Sequence, residues 1–410
     1  MDHDISATRP DGPSRRGALR VLGGAVAAGS AALPFTGAAA PASAAGEPAE
    51  QVPKGLRPGG ELDRFVAGMA AKDQFSGSLL LTHRRRTVLS RSHGMADRRA
   101  GVRNGPGTRF ALASVSKLFT ATAIHRLAQR GALNYHDTVG AHLDGFPAEI
   151  ADAVTVHHLL THSSGLGDVF QIPGFPEESR KWNSTEEVLE GAVEFVRRTR
   201  PAFPPGAGDR YSNAAFCLLG AIVAAASGRP FYDYMAEHVF RAAGMRDSAF
   251  FTKPEWRADS RMAHPYAKKP GGSERTDNLE DQLFVGLPAG DSFATCADME
   301  RFAHALLDGV LLDAAHTELM LGPKLPRPPQ PNPPRGAAPS SSSVFAGYGP
   351  VTALTQGQWV HGHGGGSMLG ASTSLEFFPG SGWVVVVLSN YDAGTVEPIA
   401  RLARRLVLAG

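Results

Sequence analysis

Close to the C-terminus, valines 384–387 and Leu388 run without a polar interruption. β-Branched residues suit a pleated backbone, and a continuous run of them reads as a central strand. The chain must therefore build a sheet around this segment. Other strand-like stretches lie at both ends: 77–83 and 87–91, read as a hairpin across the basic turn 84–86, then 347–352, 358–361, 371–378 and 383–390. From about 134 to 290 the pattern is helices and loops, with helical spacing at 185–200, 213–227 and 230–243. A short helix at 156–161 takes Thr155 as its cap, and Thr295 or Ser292 caps another at 297–307. A last helix covers 396–408. Strands at the ends with helices between and flanking predict an α+β domain assembled from the two termini around an inserted helical subdomain at about 134–290.

The first 44 residues stand apart from that domain. Residues 14–20 are basic, 21–40 form a soft apolar run, and small residues at 40–44 supply a cleavage site, so 1–44 reads as an export signal. The pair Arg15-Arg16 resembles a twin-arginine signal. The expected product is extracellular or cell-envelope, with no stable membrane span after cleavage. Residues 45–60 read as a linker to a domain at 61–410, and the Pro-dense stretch 323–343, ending in four serines, as a mobile insertion. A formal net charge of +2 over 410 residues makes no electrostatic case for nucleic acid. Cys217 and Cys296 are the only cysteines, too few for a disulfide framework, and Cys217 reads as a buried thiol. His-x-His at 361–363 has no carboxylate or Cys at ligand spacing, so neither a metal nor a cofactor is expected.

Three short patterns carry chemistry. Ser114 and Lys117 lie three residues apart at the start of an apolar helix, so the amine can reach the hydroxyl. Burial disfavours an ammonium and leaves an amine able to take a proton, which makes Ser114 an activated nucleophile in outline. A Ser-capped helix with a surface Lys is the plain alternative. Tyr211 and Asn213 follow a Gly- and Pro-rich loop. A phenol beside Ser114 and Lys117 could shuttle a proton, and Asn213 could orient Lys117 or hold a substrate carbonyl. His363 sits in a glycine-rich stretch, 361–367, read as preceding the strand at 371–378. Its glycines allow close approach of backbone and an oxyanion donor, and His363 could bind a substrate carboxylate or assist proton transfer.

Taken in chain order, S-x-x-K at Ser114/Lys117, Y-x-N at Tyr211/Asn213 and H-x-G at His363/Gly365 resemble the serine β-lactamase and penicillin-binding protein superfamily. The likeness is to its class C branch, which includes D-alanyl-D-alanine carboxypeptidases and family VIII esterases. It implies a central antiparallel sheet flanked by helices, a helical subdomain, and an active site between them. It further implies Ser114 as nucleophile, Lys117 as proton acceptor, and Tyr211 as the group that protonates the leaving group. Asn213 would orient Lys117 or substrate. The N–H groups of Ser114 and Gly366, beside Gly365, would form the oxyanion hole. His363 stands where many members carry Lys, which weakens charge-based binding of a carboxylate. The expected activity is hydrolysis through an acyl-enzyme, of a D-alanyl-D-alanine or β-lactam type amide first and an ester second. A catalytically silent peptide-binding member of the fold is the third reading. The partner is a small-molecule or peptidoglycan-peptide substrate, and oligomeric state is left open.

Overall fold

The valine run does become an interior strand, and its two faces feed two different cores. The computed structural model describes residues 52–269, 271–327 and 342–410. Eight strands form one antiparallel sheet: β1 (Gly77–His83), β2 (Arg86–His93), β3 (Leu325–Arg327), β4 (Ser342–Ala346), β5 (Val351–Thr355), β6 (Gln358–Ser367), β7 (Ala371–Phe378) and β8 (Trp383–Ser389). Their order in space is β2-β1-β8-β7-β6-β5-β4-β3, so the two ends of the chain meet where β1 pairs with β8. Side chains alternate across a strand. Val384, Val386 and Leu388 therefore enter the larger core on the helical side, while Trp383, Val385 and Val387 pack on the opposite face. No residue of β8 meets solvent, which is why its sequence shows no polar alternation.

Helices α1 (Glu61–Ala71) and α6 (Glu397–Leu408) cover that second face. In α6, Ile399, Ala403 and Val407 recur every four residues and are buried there, the spacing of one helical stripe. The first face carries α2 (Lys117–Gln129), α3 (Thr185–Arg197), α4 (Asn213–Ser227) and α5 (Cys296–Leu307), all contributing to the larger core. The Ser212 hydroxyl caps α4 by accepting from the Ala215 N–H, and Gly228 ends it in a left-handed conformation, φ +67°. Thr155 and Thr295 cap the helices expected of them. Cys217 and Cys296 are both buried and unpaired.

Several boundaries differ from the sequence expectation. The hairpin turn is two residues, Arg84 and Arg85, both at positive φ (+47° and +66°), and Arg86 already pairs with His83. Left-handed geometry at both turn residues matches the twist of the flanking strands. Helix α3 stops at Arg197 rather than 200, because Pro201 disfavours helical geometry in the residue before it. The helix expected at 230–243 divides into Phe231–Met235 and a π-helical stretch, Ala236–Arg241. Part of the supposed linker packs into the fold: Leu56 is fully buried in the core beneath α1 and α6. Both ends of the stretch read as a mobile insertion are strands paired to each other, β3 at the sheet edge and β4 between it and β5. Residues 328–341 lie outside the described residues, as do 1–51 with the expected export signal.

Candidate active site

Ser114 sits one turn earlier than expected, in a 3-10 turn (Ala113–Ser116) that leads into α2. That turn is held from three sides. Ala113 adopts φ +45°, a left-handed conformation that costs a non-glycine residue of order 1 kcal/mol. Its carbonyl accepts from the Asp291 N–H at 3.1 Å, and the Leu112 N–H donates to Ser292 O at 2.8 Å. Behind it the Ser116 and Ser292 hydroxyls bond at 2.7 Å, and the Thr373 hydroxyl of β7 donates to Leu112 O at 2.7 Å. Strain at one residue survives because its neighbours are fixed.

Lys117 is wholly buried behind this turn. Its Nζ lies 2.7 Å from Asn213 Oδ1, 2.6 Å from the Ala289 carbonyl and 3.2 Å from Ser114 Oγ. The first two partners can only accept, so they claim two N–H bonds. The third direction of the nitrogen faces the serine, as a lone pair when the amine is neutral and as an N–H when it is charged. Ala289 reaches Nζ because α4 carries Gly220 where Pro288 packs; a Cβ there would collide with the proline ring.

Asn213 has its own anchor. Its Nδ2 donates to Asp168 Oδ1 at 2.9 Å, and a carboxylate oxygen can only accept, so the amide oxygen must face Lys117. Asp168 went unnoticed in the sequence, since an acid in an irregular loop announces nothing until the loop is placed against α4.

The glycine-rich stretch 361–367 is itself part of a strand, β6, paired with β7 as far as Ser367. Glycine is needed at 365: a Cβ there would stand 2.5 Å from Leu112 O and 3.0 Å from Ser114 N. The bare strand thus lies directly against the turn that carries Ser114. Gly364, Gly365, Gly366, His363, Tyr211 and Ser114 line one cavity of about 660 Å³. Tyr211 presents its ring to Lys117, 4.8 Å from Nζ to the centroid, and lies 6.4 Å from the His363 ring. His162 packs beneath the phenol at 4.5 Å and accepts from the Ser212 N–H through Nδ1 at 3.1 Å, so its buried ring shapes the floor of the site.

His363 Nδ1 lies 2.5 Å from Gly364 O, which can only accept, so Nδ1 carries the proton and Nε2 is a free acceptor. Burial, and then the charge on Lys117, pushes this imidazole down to about 3. A neutral ring whose free nitrogen accepts hydrogen bonds is poorly suited to hold a carboxylate at neutral pH.

The Beta-lactamase family model matches residues 62–409. Esterase EstB of Burkholderia gladioli is 34% identical over 230 residues, covering 53% of this chain and 56% of that protein. Penicillin-binding protein 4 of Amycolatopsis lactamdurans is 28% identical over 308 residues, covering 74% and 77%. A penicillin-binding protein crystal structure from Bacillus halodurans superposes with a TM-score of 0.69 at 28% identity, covering 82% of this chain and 98% of that one. The chain spans only 56% to 59% of the length of several curated relatives, EstB among them. Because the family match runs across almost the whole described fold, from α1 to α6, this chain belongs to the Beta-lactamase family.

Proposed function

We propose that the protein is an exported serine hydrolase working through an acyl-enzyme. The observation that carries the reading is Lys117: two of its bonds are committed to Asn213 and Ala289, and the third direction meets Ser114 Oγ at 3.2 Å. In this reading the Ser114 hydroxyl proton passes to Nζ as Oγ attacks the carbonyl carbon. The tetrahedral oxyanion is held by the N–H groups of Ser114 and Gly366. The bond to the leaving group then breaks, and the amine or alcohol departs with the proton, relayed by Tyr211. Water repeats the sequence in reverse and frees the acid. A D-alanyl-D-alanine carboxypeptidase or β-lactamase-like activity comes first, in keeping with the penicillin-binding relatives and with export by the twin-arginine route to the cell envelope.

An ester is the second reading, favoured by one observation: His363, with Nε2 as an acceptor, brings no positive charge for a substrate carboxylate. A silent peptide-binding role fits less well, because nucleophile, amine and phenol share one site. The test is to incubate the purified protein with fluorescent penicillin, nitrocefin and p-nitrophenyl acetate beside Ser114→Ala. Stable penicillin labelling indicates a penicillin-binding enzyme, rapid nitrocefin turnover a lactamase, and ester turnover alone an esterase. Turnover that survives intact in Ser114→Ala would refute the mechanism.

A further inference from the structure

Alternation along β6 divides its glycines between two faces. Gly365 presses on the Ser114 turn, so Gly362, Gly364 and Gly366 face the other way, beside their cross-strand partners Glu376, Ser374 and Ser372. β5 pairs with β6 only as far as Gly362. From His363 to Ser367 the strand therefore has β7 on one side and, among the described residues, no strand on the other. The cavity that holds Ser114 and Tyr211 takes in both faces at this bare edge: Ser374, Glu376 and Arg404 line it too. It thus passes around the glycine edge, from the Ser114 side to the α6 side. There its walls are apolar, Val351 and Ala353 of β5 and Val396 and Ala400 at α6, with one strong polar feature. Arg404 closes on Glu376 with two bonds, Nε to Oε2 at 2.9 Å and a terminal nitrogen to Oε1. The Glu376 side chain is 8% exposed and that of Arg404 41%, so what the pair presents to the cavity is the cation. Glu376 engages one edge of the guanidinium, which fixes its plane and leaves the outer N–H groups for a ligand. Arg401, also in the wall, contributes less: it pairs with Glu397 at 3.0 Å with side chains 62% and 69% exposed, where solvent screens the charge.

We propose that this far compartment selects substrates bearing a carboxylate on an apolar arm, with Arg404 as the specificity-determining residue that receives it. This rests on the reading of Ser114 as the nucleophile. Arg404 supplies the positive charge that neutral His363 does not, but it supplies it at a distance. Gly362, opposite Glu376, lies three residues before Gly365, about 10 Å of strand from the contact with the Ser114 turn. The arm must therefore be several carbons long, and its methylenes lie along the apolar walls. A charge-assisted hydrogen bond that is partly open to solvent should favour the charged arm about tenfold in kcat/KM.

The experiment measures kcat/KM for p-nitrophenyl half-esters of linear dicarboxylic acids from succinate to sebacate, with uncatalysed hydrolysis subtracted. Each is set beside its ω-methyl ester, which has the same arm without the charge. Acetates of ω-hydroxy acids and their methyl esters place the same arm on the leaving group. The ratio of charged to methylated substrate should rise with arm length to about tenfold in one of the two series, mainly through KM. Arg404→Gln should abolish that rise. Because it leaves Glu376 buried without its partner, Arg404→Gln combined with Glu376→Gln is measured too, and a ratio taken within one protein does not depend on how much of it is folded. Arg85→Gln, at the hairpin turn, should keep the preference. A ratio flat with arm length in both series, or a rise unchanged in both Arg404 variants, would overturn the compartment and leave Ser114 in place. Should no ester turn over, the diacids and their dimethyl esters are compared as protectants of Ser114 against an alkyl fluorophosphonate. Stronger protection by the diacids, lost in Arg404→Gln, supports the proposal, and equal protection overturns it. No labelling at all overturns the reading of Ser114 and the compartment with it.

Discussion

On the helical wall of the cleft, chemistry is held by side chains. Lys117, Asn213 and Asp168 form a chain of hydrogen bonds in which each acceptor fixes the orientation of the next donor. On the sheet wall, β6 offers three consecutive glycines, 364–366, and a histidine whose burial keeps it neutral. One wall places a reactive nitrogen, and the other contributes shape, backbone and the absence of a Cβ. The difference teaches where damage should fall. Loss of a side chain should cripple the helical wall, whereas gain of one should cripple the sheet wall.

The largest expected effect tests the helical wall. Lys117→Ala removes the proposed proton acceptor and should slow acylation by about a thousandfold, measured in single-turnover labelling. A rate within a few fold of the unmodified protein would break the contrast. Gly365→Ala tests the sheet wall by adding the Cβ that meets Leu112 O and Ser114 N. Displacing the Ser114 turn in this way should cost about a hundredfold in kcat/KM, comparable to losing an oxyanion donor, with a lowered Tm. Normal activity in Gly365→Ala would mean that strand and turn do not meet as described.

Asp168→Ala is a finer probe. It frees the Asn213 amide to rotate while leaving Lys117 and Ser114 in place, and should lower kcat about tenfold with little change in KM. The smallest effect concerns pH and stability. His125 and His363 are each pushed down to about 3 and His361 to about 4, chiefly by burial. An unfolded histidine takes its proton near 6.5, so as the pH falls below that value the unfolded chain gains protons that the folded chain refuses. Stability is thus fully kept above about 6.5 and lost on the way down toward 4 and 3, by at most about 1.4 kcal/mol per pH unit for each ring. Tm should fall from pH 6.5 to 4.5, and less steeply in His363→Gln. An equal slope in that variant would mean that this ring titrates in the folded protein as it does in the unfolded chain.

Much of this site was legible because its chemistry sits in short, ordered patterns. Ser114–Lys117 is a local spacing, and Asn213 begins a helix whose cap, Ser212, is written beside it. Harder to read was the glycine stretch at 361–367. Glycine weakens a strand in isolation, and only pairing with β7 and the pressure of the Ser114 turn make a strand of it. Asp168, Ala289 and the buried Leu56 were unreadable for a related reason. Each gains its role from a partner far away in the chain.

By itself, the sequence determined most element types, several helix caps, the interior position of 384–388 and which groups are candidates for the chemistry. Those follow from local sterics, periodicity and side-chain chemistry, which act over a few residues. Tertiary structure alone decided that β1 pairs with β8 across some three hundred residues and that the lysine nitrogen keeps one direction for the serine. It also decided that the histidine beside the cleft is neutral. Orientation, burial and charge state depend on what surrounds a group in space, and that is set when the two ends of the chain close one sheet.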